Sequence, residues 1–190
     1  MKITYLKAAL ISLPFLLSTA ISNADLIPES PKQKEVRIEA DINGVFMRAF
    51  KGASYKLGQG EDLYPFAIIK KRDGTIGMFE LNLKDNIKNL SVNQMAINIR
   101  RYLTELAIAD QIVSTALVMY ATVQPKGEEP RQGLTFEMEH IDGVSLMRFI
   151  PITDPGEGKD LIVHIESTST AGKPATVFTE MVRAVVSNKQ

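Results

Sequence analysis

The sequence predicts an α+β protein in which an antiparallel sheet carries helices packed on one or both faces, in the element order α-ββ-α-βββ-α. Three observations lead there. Two dipeptides, Asp73-Gly74 and Asp142-Gly143, each sit between alternating apolar runs, which is the strongest short-range signal for a β-hairpin. Between the hairpins, Ser91 and Gln94 form a capping-box start to an apolar stripe of helical period. Further stripes at three- and four-residue spacing lie near both ends of the chain. Hairpins kept apart from helices, with each helix needing one face to cover, describe α+β architecture.

In chain order, Ile38, Ile42, Val45, Phe46, Ala49 and Phe50 fall on one side of a helix expected from about Glu35 to Lys51, with Gly44 as a weak point. The glycine-bearing stretch from Gly58 to Asp62 ends this unit, and Pro65 opens the apolar run Phe66 to Ile69. A two-residue turn at Asp73-Gly74 would pair Arg72 with Thr75, Ile68 with Phe79 and Phe66 with Leu81, leaving one apolar face. The helix opened by Ser91 continues through Val92, Met95, Ala96, Ile99, Leu103, Leu106 and Ala107. Ser114 to Val123, dense in valine, leucine, tyrosine and threonine, reads as a strand closed off by the polar loop Gln124 to Gln132.

At the second hairpin, a two-residue turn at Asp142-Gly143 would set Met138 opposite Met147, Phe136 opposite Phe149 and Glu137 opposite Arg148. The alternation of Leu161, Val163 and Ile165 reads as a further strand. Val177, Phe178, Met181, Val182, Val185 and Val186 recur at about four residues and predict a closing helix.

The first residues carry an address. Lys2 and Lys7 precede the apolar run Ala8 to Leu17, and Ser18 to Ala24 are mostly small or polar, the pattern of a secretory signal peptide. Small residues at Ser22 and Ala24, or at Ser18 and Ala20, suit signal peptidase, and cleavage before Asp25 is expected. The apolar run is about half of the ~20 residues a spanning helix needs, and Pro14 interrupts it, so contact with the membrane is expected to be transient. A retained segment would instead make the body a membrane-tethered subunit. The expected organisation is a signal peptide over 1–24, a flexible linker over 25–34 that contains Pro28 and Pro31, and a single α+β domain over 35–190. The destination is the bacterial periplasm or the exterior.

Composition narrows the function classes. Lysines and arginines number 22, as do aspartates and glutamates, and loss of Lys2 and Lys7 takes the net charge from 0 to −2. That balance argues against nucleic acid as a partner. The chain has no cysteine, which removes disulfides, thiolate nucleophiles and thiolate metal sites.

At Pro65, Phe66 and Ala67, the charged Asp73-Gly74 hairpin, the helix after Ser91 and the alternating strands beyond it, the chain resembles an uncharacterised group of bacterial domains over roughly Leu63 to Ile150. The shared motifs are structural, so the resemblance implies a fold and no activity. The element order is also similar to that of roadblock and profilin-like domains, which are interaction modules; that likeness is one of fold alone.

The inventory for chemistry is thin. His140 and His164 are the two histidines. His140 lies among Glu137, Glu139 and Asp142, but on a strand Glu139 and His140 point to opposite faces, and Asp142 is committed to the turn. The simpler account is a histidine at the end of a sheet. His164 and Glu166 share a face if they lie on a strand, with Asp160 in the same row, yet two or three dispersed donors fall short of a defined zinc site. Asp154, Glu157 and Asp160 lack the spacing and closing glutamate of an EF-hand. Lys70, Lys71 and Arg72, with Lys84 and Lys88, form a basic group whose default explanation is solubility, the alternative being contact with an anionic lipid or an acidic partner. Ser145, Ser167 and Ser169 lie in no Gly-x-Ser-x-Gly elbow, and no phosphate loop or dinucleotide fingerprint is present, so no cofactor is expected. The expected function is therefore an exported, non-enzymatic domain that binds a protein or a small molecule, as an envelope accessory or immunity-type inhibitor. The rival is a hydrolase or metal-dependent enzyme using His164 and Glu166, with Asp160 or His140 as a further member.

Overall fold

A computed structural model describes residues 28–81, 90–124, 127, 129–154 and 161–188; residues 1–24, the expected signal peptide, lie outside that set. The elements run α1 (Pro31–Gly58), β1 (Phe66–Lys71), β2 (Ile76–Glu80), α2 (Val92–Ile108), β3 (Ile112–Val123), β4 (Arg131–His140), β5 (Ser145–Thr153), β6 (Ile162–Val163), a 3-10 turn (Ile165–Ser167), β7 (Ser169–Gly172) and α3 (Glu180–Ser187). The α+β class stands. Seven antiparallel strands form one sheet in the order β2-β1-β3-β4-β5-β6, with β7 also paired to β5.

The sheet has helices on both faces. One core lies under α1 and joins Ile42, Val45, Ala49 and Ala53 to Phe66, Ile68, Ala116, Val118, Leu134, Phe136, Met138, Ile150 and Ile152. The other lies under α2 and α3 and joins Ala96, Ile99, Leu103, Ala107, Val177, Phe178 and Val182 to Ala67, Ile69, Ile112, Leu117 and Met119. Neighbouring residues of β1 and β3 therefore serve opposite cores, as the two-residue period of a strand dictates. This double burial explains why β1 and β3 read as continuous apolar runs.

Helix α1 starts earlier and ends later than its apolar period suggests. Ser30 caps it in a capping box with Gln33, and Pro31 occupies the first turn, so residues 31–34, expected in a flexible linker, are helical. That start signal is present in the sequence as Ser-Pro-x-Gln. The helix also runs through Gly44 and Gly52, where added side-chain atoms would meet Ile76 Cδ1 at 3.8 Å and Met78 Cε at 3.1 Å. The glycines give β2 its room beside the helix. Helix α2 carries the expected Ser91–Gln94 capping box, and α3 begins after Thr179, leaving Val177 and Phe178 to pack ahead of it.

Both hairpins turn at their Asp-Gly pairs, but in three residues instead of two. Lys71 N–H donates to the Thr75 carbonyl and Gly74 N–H to the Lys71 carbonyl; His140, Val144 and Gly143 repeat the pattern. Gly74 (φ 85°) and Gly143 (φ 97°) take the left-handed conformation, and neither aspartate does. This is a type I turn followed by a glycine bulge. The extra loop residue moves both registers by one: Ile68 faces Met78 and Ala67 faces Phe79, while Phe136 faces Arg148 and Glu137 faces Met147. The expected Glu137–Arg148 pair is thus absent. Glu137 instead accepts two hydrogen bonds from Arg100 of α2, at 2.8 and 3.1 Å, while Arg148 lies over the Phe46 ring on the other side of the sheet.

The strand expected through Leu161, Val163 and Ile165 is shorter. Only Ile162 and Val163 pair, and Ile165 begins the 3-10 turn. Strand β7, which follows, has no alternating apolar pattern to announce it; all four of its residues are exposed.

Candidate functional site

Polar residues meet at the end of the sheet where both hairpins turn. Strand register aligns Lys70 of β1, Ser114 of β3 and His140 of β4 in one row, on the face covered by α1. Asp41 of α1 comes down onto this row, ion-paired to Lys70 through Oδ1 and 3.2 Å from His140 Nε2 through Oδ2. Asp41 is 5% exposed and His140 is fully buried. Asp142 continues the row outward to Lys34 and Arg37 of α1, at 2.7 and 2.9 Å, and Glu29 completes it through Arg37.

The hydrogen bonds fix the ring's protonation. Asp142 N–H donates to His140 Nδ1 at 3.0 Å, so Nδ1 carries no proton; Nε2 holds it and donates to Asp41. The imidazole is neutral, and burial, outweighing the two nearby carboxylates, pushes its pKa below 6.5. Burial opposes ionisation of Asp142, but hydrogen bonds from Lys34 and Arg37 prevail and hold its carboxyl below the usual range. Ser114 Oγ is buried in the same row and makes no hydrogen bond to the described residues. A serine, a histidine and an aspartate are thus neighbours, yet both ring nitrogens are already engaged. General-base catalysis needs a free ring nitrogen aimed at the nucleophile, and this arrangement offers none.

On the opposite face, Glu139 is 2% exposed and accepts from the backbone N–H groups of Thr176, Val177 and Phe178, from Thr176 Oγ1 and from Lys173 Nζ, all within 3.0 Å. Burial raises its pKa, and these donors together overcome it, leaving the carboxyl below its usual value. Glu139 is the anchor of the segment leading into α3. The strand alternation puts Glu139 on the face opposite His140, as expected, but no local pattern marks the cradle, which comes from residues 34 to 39 positions later in the chain.

His164 lies elsewhere. It precedes the 3-10 turn, with Nδ1 3.3 Å from Glu166 and Nε2 2.9 Å from Thr153 Oγ1, so the pair is held by a turn and not by a strand face. Its backbone bonds Pro151 near one end of β5, whereas His140 bonds Val144 just before the other end. Seven residues of strand put these anchor points about 24 Å apart, and the two imidazoles do not converge. Asp160 and Glu157 lie outside the described residues. Among the described residues, no three histidine, aspartate or glutamate side chains are placed to share a metal ion. The basic group also dissolves: Lys70 pairs with Asp41 and Arg72 with Asp110, while Lys84 and Lys88 lie outside the described residues. No helix among the described residues is long and apolar enough to cross a membrane.

Several concave surfaces are open to solvent, among them one of about 470 Å³ beside His164, Thr153 and Arg131 and a groove of about 540 Å³ between the first half of α1 and the start of β5. Ile38, Ile42, Val144 and Leu146 supply its apolar surface, and Lys34, Glu35, Glu39 and Arg148 its charges. It exists because α1 crosses above β1, β3 and β4 and leaves this face of β5 partly uncovered. No signal in the sequence marks it, since its two walls are about 105 residues apart. No family model, curated protein or solved structure matches the chain.

Proposed function

We propose that the chain is an exported, non-enzymatic binding domain whose contact surface is the groove between α1 and β5. The groove itself carries the reading: a concave surface of about 540 Å³, apolar inside with both signs of charge around it, has the size and composition of a recognition site. The engagement of both His140 nitrogens and the internal use of Glu139, Glu137 and Asp41 support it further. Each of these groups is committed to holding the fold, which leaves the partly exposed His164 and the exposed Glu166 to the rival reading. Envelope accessory and immunity-type inhibitor remain the two roles this reading serves.

The test is capture from an envelope extract by the intact protein and by its Glu39→Arg variant, which reverses an exposed charge of the groove, followed by reconstitution from purified components. Stoichiometric binding to the native protein, reduced at least tenfold in the variant while its thermal unfolding is unchanged, is the expected result. Equal binding by both proteins would move the surface elsewhere. Turnover of a hydrolase substrate that disappears in His164→Ala would replace the reading with an enzymatic one.

A further inference from the structure

Strand β2 ends the sheet on one side, and among the described residues nothing pairs with its outer edge. The hairpin bonds fix which of its backbone groups are used. Thr75 is bonded to Lys71, so residues 77 and 79 face β1 in turn, and the N–H and C=O groups of Ile76, Met78 and Glu80 point outward. Natural edges are usually protected by lysine, proline, a bulge or a cover. The sequence Ile-Gly-Met-Phe-Glu of β2 has no lysine or proline, and Ile76 and Met78 are 42% and 47% exposed on one face. At the other side of the sheet, β6 and β7 already occupy the free edge of β5.

We infer that β2 pairs with β2 of a second copy of this chain, antiparallel about a two-fold axis at Gly77, joining two seven-stranded sheets into one. The register is what selects a second copy. Centred on Gly77, it sets Ile76 of each copy against Met78 of the other, as the hydrogen-bonded pairs that their outward backbone groups require. Gly77 meets its own equivalent in a non-hydrogen-bonded pair. Thr75 meets Phe79, and the two Glu80 carboxylates fall at opposite ends of the ribbon. Centring on Met78 instead would press Ile76 against Glu80. One five-residue edge buries less than the roughly 800 Å² per partner of a standard interface, so the dimer exchanges with monomer at accessible concentrations.

The absence of cysteine from the chain makes the test clean. A non-hydrogen-bonded antiparallel pair brings Cα atoms to about 4.5 Å, within disulfide range. A Cβ at Gly77 meets nothing closer than Ile69 Cγ1 at 3.7 Å. Gly77→Cys should form a disulfide-linked dimer under mild oxidation, whereas Glu80→Cys, whose copies lie far apart, should stay monomeric. Sedimentation velocity of the unmodified protein should show concentration-dependent dimer, with the dissociation constant raised about tenfold or more by Ile76→Lys, a charge placed on the pairing edge. Monomer at every soluble concentration, or equal cross-linking at positions 77 and 80, overturns the inference. So does an edge that takes an extended peptide from another protein while the chain itself stays monomeric.

Discussion

His140 Nε2 and Asp41 Oδ2, 99 residues apart in the chain, are joined by a 3.2 Å hydrogen bond that fastens α1 to the sheet at its polar end. Asp41 also holds Lys70, so one carboxylate serves two donors from two strands. Removing it strands both. Breaking a buried ion pair from one side costs about 3–5 kcal/mol; because Lys70 keeps a quarter of its side chain exposed, Asp41→Ala is expected to lose about 2–3 kcal/mol, just below that range. Urea unfolding measures it, and a loss below about 0.5 kcal/mol, the scatter of surface substitutions, would contradict the arrangement.

Stability should fall on mild acidification because of the same imidazole. Its pKa is lowered in the folded protein, chiefly by burial, so the unfolded chain binds a proton that the folded chain refuses. The contribution is complete above the unfolded value of about 6.5 and declines as pH falls below it, by at most about 1.4 kcal/mol per pH unit. Glu139 and Asp142, whose pKa values are also lowered, extend the loss through the carboxylate range. Urea midpoints measured from pH 7.5 to 5 should slope in the native protein and flatten above pH 5.5 in His140→Gln. A flat native profile would mean that the ring is not held neutral.

Glu139→Ala should loosen the C-terminal part of the chain. The carboxylate collects three backbone N–H groups at 176–178 together with the Thr176 hydroxyl and Lys173. Its loss removes the acceptor of the three N–H groups and the Thr176 hydroxyl, while Lys173 keeps the Pro174 carbonyl and Glu137, and about 3 kcal/mol of stability goes with it. Hydrogen exchange should rise most at Thr176 to Val186. Uniform change across all strands would show that the cradle has no local role.

At Gly133, a Cβ would lie 2.3 Å from the Ile150 carbonyl oxygen and 2.8 Å from the Phe149 ring. The obstacle is backbone from the paired strand, which has no rotamer to yield, so Gly133→Ala is expected to cost about 2 kcal/mol or more. Gly58→Ala, where nothing lies within 4 Å, is the matching control and should shift the melting temperature little.

Much of the fold is readable from residue patterns, and the places where it is not share one cause. Ser91, Gln94 and the stripe after them define α2 locally, and both Asp-Gly turns lie where expected. The registers differ by one because the turn counts three residues, Arg72-Asp73-Gly74 and Ile141-Asp142-Gly143, with only the glycine left-handed. Phe79, expected on the same face as Ile68, instead faces α2 and stacks on Tyr102 at 4.2 Å. Strand β7, the Glu139 cradle and the α1–β5 groove are built from segments far apart in the chain, and no local pattern encodes such meetings. Ser30, Pro31 and Gln33 did announce the start of α1, but the prolines on either side of Ser30 also fit a tether.

The buried charges of the two strand-end clusters sit toward the end where the hairpins turn, while the far end buries Phe66, Val118 and Ile150 and keeps polar contacts such as Lys56–Glu80 and Tyr120–Gln132 nearer the surface. The interior is thus graded along the strand axis. Proton-driven loosening has a direction, entering beside the two bulged loops and travelling toward the greasy end, whereas heat finds no such starting point.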